Sequence, residues 1–177
     1  MKDIIRTERL TLRQTEQRDA AAFSTLVSDF DIARMTGSIA YPYPLLAAEF
    51  KIMTFHAAKR RELAHPYAIT LNGRDEMIGV ADLFKRGADS LWEIGYWVGR
   101  PYWGNGYMTE ACEALLAEAN LSLGTGDRIA GVFTDNPGSA RVLEKLGFEK
   151  TGDPNEYFSM ARLKNAKSQD YVLRANG

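Results

Sequence analysis

The chain has 177 residues, 45% of them hydrophobic and 25% charged, with a formal net charge of -1 at pH 7. That supports one domain with a sizeable core, is short for two, and excludes a polyanion binder recruited by overall charge. No stretch is apolar for long enough to span a bilayer, and Met1-Lys2-Asp3-Ile4 opens without a signal peptide's apolar run.

A cytoplasmic protein with no nucleic-acid and no membrane partner is therefore expected. Leu10-Thr11-Leu12-Arg13 alternates with period two and predicts an early strand. Residues 18–27 predict a helix with Ala20, Phe23, Leu26 and Val27 on one stripe. Residues 29–45 are less regular, and Tyr41-Pro42-Tyr43-Pro44 rules out a regular helix there. A helix resumes over 46–60, with Phe50, Ile52, Met53 and Phe55 as its apolar positions. Strands follow at 67–71, 77–83 and 91–98, linked by a loose turn over 72–76 and by a turn ending at Asp89. Three strands with short links predict an antiparallel meander.

The order then changes to helix (107–119), strand (129–133), helix (139–146) and strand (148–150), which permits a parallel crossover. Residues 157–163 read as strand or irregular, and 170–174 as a closing strand before a tail at 175–177 expected to fray. No repeat, low-complexity tract or linker divides the chain. The expectation is one mixed α/β domain over residues 1–177.

The single cysteine, Cys112, lies in a helix interior and cannot make an internal disulfide or a zinc cluster alone; it reads as a packing residue. His56 and His65 read as structural, so no metal site is expected.

Residues 93–107 carry the strongest signal. An aromatic-rich strand, Glu93-Ile94-Gly95-Tyr96-Trp97-Val98, empties into a loop holding Trp103-Gly104-Asn105-Gly106-Tyr107, and a helix follows. Backbone N–H groups of such a loop, with those of the helix's first turn, form a site for phosphate. A dinucleotide fingerprint fails because Thr109 stands where its third glycine belongs, and no lysine–serine/threonine pair supports a P-loop. A second loop, Asn136-Pro137-Gly138-Ser139, opens the next helix one strand later, so both loops can meet at one sheet edge.

These segments resemble the GNAT superfamily of acetyl-CoA-dependent N-acetyltransferases, in particular the branch with the bacterial ribosomal-protein N-terminal acetyltransferases. The resemblance rests on residues 7–13, 93–98, 103–111, Asn136, Ser139 and 141–148, and spans roughly residues 5–174. It implies a central mixed sheet, flanked by helices and splayed between the strand ending near Val98 and the one near Ile129. Acetyl-CoA would lie in the splay, its pyrophosphate on the N–H groups from Tyr102 through Tyr107, with Arg100 as a source of phosphate charge. A backbone N–H near Trp97-Val98 would bond the thioester carbonyl, and Asn136 the pantetheine arm. The tyrosine that protonates the leaving thiolate in many relatives corresponds to Leu143, which leaves Ser139 as the available hydroxyl.

Acetyl transfer needs a neutral amine, so a carboxylate must take its proton. Glu93 is the leading base on this reading, with an ordinary polar strand residue as the alternative. Asp82, at the end of the neighbouring strand, is the second candidate, and Glu110 reads as a charge favourable to a helix start. The resemblance brings the acceptor in between the first two helices and the sheet, where Thr36, Tyr41 and Tyr43 would shape the entrance. The expected acceptor is a protein N-terminus or a small amine, and a homodimer fits the family. A non-catalytic acyl-CoA sensor is the alternative of a different class.

Overall fold

The computed structural model describes residues 1–87 and 90–175; the expected turn at Asp89 and the last two residues of the tail lie outside the described residues. The chain opens with β1 (Ile4–Arg6), β2 (Leu10–Gln14), a 3-10 turn (Gln17–Asp19), α1 (Ala20–Val27), α2 (Phe30–Ala33) and α3 (Leu45–Arg60). It continues through β3 (Ala64–Leu71), β4 (Met77–Phe84), β5 (Trp92–Val98), a second 3-10 turn (Arg100–Tyr102) and α4 (Tyr107–Leu123). The remainder is β6 (Arg128–Phe133), α5 (Pro137–Lys145), β7 (Glu149–Ser159) and β8 (Lys164–Leu173). The eight strands form one sheet in the order β1-β2-β3-β4-β5-β6-β8-β7. The meander expected over β3, β4 and β5 is present, and β5–β6 is the parallel pair that the crossover allowed.

Helices cover both faces of this sheet, which is why β3 and β4 are buried almost end to end rather than alternately. On one face α4 brings Met108, Ala111, Cys112 and Leu115 against Leu12, Ile69, Leu83 and Ile94. On the other, Phe23 and Val27 of α1 and Ile52 and Phe55 of α3 pack on Ala68, Met77 and Val80. Burial pushes the Cys112 thiol strongly up, so it stays protonated as a packing group.

Several element limits differ from the sequence reading, for physical reasons. β1 has three residues, of which only Ile5 is buried, so it carries no alternating signature. α3 buries Ala48, Ile52 and Phe55 but leaves Phe50 and Met53 in solvent, since the helix carries apolar residues on more than one face. β7 runs through Ser159 with nearly every residue exposed, because it is the edge strand and only its partner β8 lies against the core. Among the described residues no helix is long and apolar enough to cross a membrane, and no cluster of His, Cys, Asp or Glu has the makings of a metal site.

Candidate active site

β5 and β6 pair only at Trp92–Arg128 and Glu93–Ile129. Beyond that point β5 follows β4 as far as Val98, while β6 follows β8 as far as Phe133, and the sheet parts between them. One edge of β5 is therefore left open beyond Ile94. The Gly99 N–H donates to Ile78 on β4 at 2.8 Å. N–H direction alternates along a strand, so the Ile94 N–H completes the last β5–β6 pairing and the N–H groups of Tyr96 and Val98 point into the parting. The parting belongs to a cleft of about 1600 Å³ that reaches Asp82 and Glu93 on one side and Gly106, Asn136 and Ser139 on the other.

The mouth of the parting is closed by the glycine loop. Gly104 and Gly106 hold φ values of +77° and +76°, a left-handed backbone that a side chain would strain. Gly106 caps α4, so the first N–H groups of that helix have no acceptor within it. The Trp103 indole N–H donates to the Val98 carbonyl at 2.8 Å, and Asn105 Nδ2 donates to the carbonyls of Tyr102 and Trp103. The Tyr102 and Trp103 N–H groups, expected to face the pyrophosphate, instead donate to the carbonyls of Gly99 and Arg100 in the 3-10 turn, which leaves the N–H groups from Gly104 onward for a ligand. The loop is also held from outside: Glu110 accepts from Thr7 Oγ1, from the Arg9 N–H at 2.9 Å and from Arg9 Nε at 2.7 Å, while Arg9 Nη1 donates to the Asn105 carbonyl. These bonds hold the Glu110 carboxyl below its ordinary range against the opposing effect of burial. The sequence reading credited Glu110 with a helix-dipole role alone; its tie to the β1–β2 turn depends on a contact about a hundred residues away in sequence.

Of the residues expected to meet the donor, Trp97, Val98, Tyr102, Trp103, Gly104, Gly106, Tyr107, Asn136 and Ser139 line the cleft. Arg100 turns instead to Asp31 at 3.1 Å and Asp29 at 3.5 Å, and Asn105 folds back onto its own loop. At the second loop, Asn136 Oδ1 accepts the Ser139 N–H at 3.1 Å, which caps α5 and leaves the Asn136 amide N–H groups unspent. Ser139 Oγ lies 2.9 Å from Tyr96 Oη, and the two hydroxyls bridge the parting from β5 to α5. Burial pushes the Tyr96 phenol well above its ordinary range, so it stays protonated, and either hydroxyl can donate to the other. Leu143 is wholly buried in the core beside α4, so its position offers no hydroxyl.

Both carboxylates lie on the sheet face beneath α1 and α3, since Asp82 pairs with Gly95 and Glu93 with Phe84. Their surroundings differ. Both Glu93 oxygens accept from Arg86, at 2.6 and 2.8 Å, and Arg86 also donates to Tyr157 Oη at 2.7 Å. Asp82 meets no arginine among the described residues; it accepts the His65 N–H at 3.2 Å. Burial raises its pKa to about 7, against the opposing pulls of the Lys51 charge and that N–H. Only the His65 backbone reaches Asp82; its ring lies on the other face of the sheet, 5.1 Å from the Trp92 ring, where burial pushes it down to about 4 and it stays neutral.

Thr36 lines the cleft, with its hydroxyl bonded to the Ala33 carbonyl. The two tyrosines do not. Tyr43 is buried against Phe23 in the α1–α3 core, where an aromatic fills the space between the helices, and Tyr41 meets Phe30 edge to face at the surface. The sequence reading missed Lys51, Arg86, Tyr96 and Tyr157. Only the Arg86–Glu93 pair had a local signal, an opposite charge across the β4–β5 hairpin.

An opened parallel pair with amide-rich turns at its mouth is the architecture of an acyltransferase that seats its donor within the sheet. The chain matches the family model described as Acetyltransferase (GNAT) domain over residues 9–149, and it belongs to the GNAT acetyltransferase family. It is 31% identical over 163 residues to the uncharacterized N-acetyltransferase YoaA of Bacillus subtilis (strain 168), covering 89% of each chain. Its fold matches RimL, a ribosomal L7/L12 α-N-protein acetyltransferase solved with coenzyme A, with a TM-score of 0.83 at 20% identity, covering 97% of this chain and 98% of that one. It also matches the microcin C7 self-immunity acetyltransferase MccE, solved with acetyl-CoA and AMP, with a TM-score of 0.81 at 18% identity, covering 95% and 93%. The protein is an N-acetyltransferase whose co-substrate is acetyl-CoA.

Proposed function

We propose that the protein acetylates a primary α-amine by direct attack in a ternary complex, with Asp82 as the general base. Acetyl-CoA supplies an activated thioester carbonyl. The residues present suit it: the loop N–H groups from Gly104 onward for the pyrophosphate, the Asn136 amide for the pantetheine arm, and the Tyr96 and Val98 N–H groups for the carbonyl. Asp82 carries the reading, because a carboxylate with a pKa near 7 both accepts a proton from an amine and exists ionised at neutral pH. Glu93, held through both oxygens by Arg86, then fixes the floor of the acceptor side rather than accepting the proton. Ser139, its hydroxyl oriented by Tyr96, gives a proton to the departing sulfur. RimL, which modifies a protein N-terminus, and MccE, which confers microcin immunity, share the fold, so resemblance leaves the acceptor to the cleft.

The test combines calorimetric titration with acetyl-CoA and mass detection of acetylated amines. Binding and an added acetyl group are expected. Glu110→Gln, which loosens the loop from Arg9 and Thr7, is expected to weaken acetyl-CoA binding about tenfold, the worth of a charge-assisted bond. Donor binding with no acetylated product from any amine would favour the sensor reading.

A further inference from the structure

α3 brings one cation into the acceptor side of the cleft. Lys51 lines the same wall as Asp82, Phe55 and Ala58, and its Nζ sits 4.9 Å from the centroid of the Phe55 ring. Among the described residues it finds no ion-pair partner within 4.0 Å. Asp82 is its electrostatic neighbour at longer range, and burial holds the Lys51 ammonium below its ordinary pKa. The neighbouring arginines are differently placed. Arg86 is clamped on Glu93, and Arg34 lies between Asp31 and Asp135.

A half-buried ammonium without a close anion is costly, and the cost falls when an anion arrives with a ligand. The cleft wall thus offers two charges of opposite sign, set apart by more than a contact distance: a carboxylate suited to an amine and an ammonium suited to an acid. We propose that the acceptor carries a carboxylate next to its amine, as a free α-amino acid does, and that Lys51 binds that carboxylate while Asp82 takes the amine proton. A peptide N-terminus has an uncharged amide in place of the carboxylate, so it would leave Lys51 unpaired. Lys51 is in this account a specificity-determining residue. The inference rests on the proposed transferase reading and narrows its acceptor.

The experiment follows CoA release from acetyl-CoA with a panel of amino acids, each offered as the free acid and as the carboxamide, alongside N-terminal peptides. Wild type, Lys51→Met and Lys51→Arg are compared at about pH 8, above the Asp82 pKa of about 7 and no higher than needed, since burial lowers the pKa of the Lys51 ammonium. The ratio of acid to amide kcat/KM within one variant cancels any change that the substitution makes to Asp82. Wild type is expected to favour free acids about tenfold to a hundredfold, Lys51→Met to lose most of that ratio, and Lys51→Arg to keep it. Equal rates on acid and amide, a ratio unchanged in Lys51→Met, or turnover confined to peptide N-termini would overturn the assignment and leave the transferase standing. No turnover of any amine by a protein that binds acetyl-CoA would remove the transferase reading and the inference together.

Discussion

Asp82→Asn is expected to lower kcat about 10²- to 10⁴-fold while leaving acetyl-CoA affinity close to that of the wild type. The carboxamide keeps the size of the side chain and can still accept the His65 N–H, but it cannot take a proton from an amine. The same substitution is expected to stabilise the fold at pH 8. The folded-state pKa of Asp82 is about 7, above the ordinary value of 3.8, so the folded chain binds more protons than the unfolded chain between those limits. Stability contributed by this group is full below about pH 4 and is lost as pH rises through 7. Removing the charge should therefore raise the unfolding free energy at pH 8 by an amount on the order of a few kcal/mol, seen as a higher melting temperature, and flatten the decline above neutrality. Thermal denaturation at pH 5 and pH 8 measures it. A melting temperature at pH 8 no higher than wild type would speak against a buried ionised Asp82.

Arg13→Met is expected to destabilise the protein by about 3–5 kcal/mol, because it strands Asp19 as a buried charge without its partner. Arg13 on β2 meets both Asp19 oxygens at 2.8 and 2.7 Å and reaches across to Asp75 at 2.8 Å. Both members of the Arg13–Asp19 pair are buried, and Asp19 lies at the head of α1. The pair thus pins the α1 end of the layer that roofs Asp82. Changing both residues to leucine should recover part of the loss, since no charge is then left unpaired. Urea denaturation of the single and double variants distinguishes this from a simple loss of packing, for which the double variant would be worse than the single.

The parts of the protein legible in its sequence are those whose chemistry is local. The alternation in Glu93-Ile94-Gly95-Tyr96-Trp97-Val98 belongs to one strand, and Gly104 and Gly106 need their left-handed backbone whatever surrounds them. The Asn136–Ser139 cap is likewise contained in four residues. The character of the two carboxylates is not local. Glu93 and Asp82 look alike in sequence, yet one faces Arg86 from the hairpin and the other lies buried under α3 with an N–H from β3 and the Lys51 charge at longer range. Tyr96 and Ser139 meet across the parting from 43 residues apart, so neither position announces the pair. The family resemblance places Tyr43 at the acceptor entrance, whereas the α1–α3 layer takes its ring as filling. In each case the missing information is which element lies opposite.

The dependence of kcat on pH, measured for wild type, Asp82→Asn and Glu93→Gln with one amine acceptor at saturation, bears most directly on this account. The acceptor's own titration is common to all three and cancels in the comparison. Wild type should lose activity as pH falls through about 7, and that acid limb should persist in Glu93→Gln and vanish from the residual activity of Asp82→Asn. A limb that survives in Asp82→Asn and disappears in Glu93→Gln would contradict it.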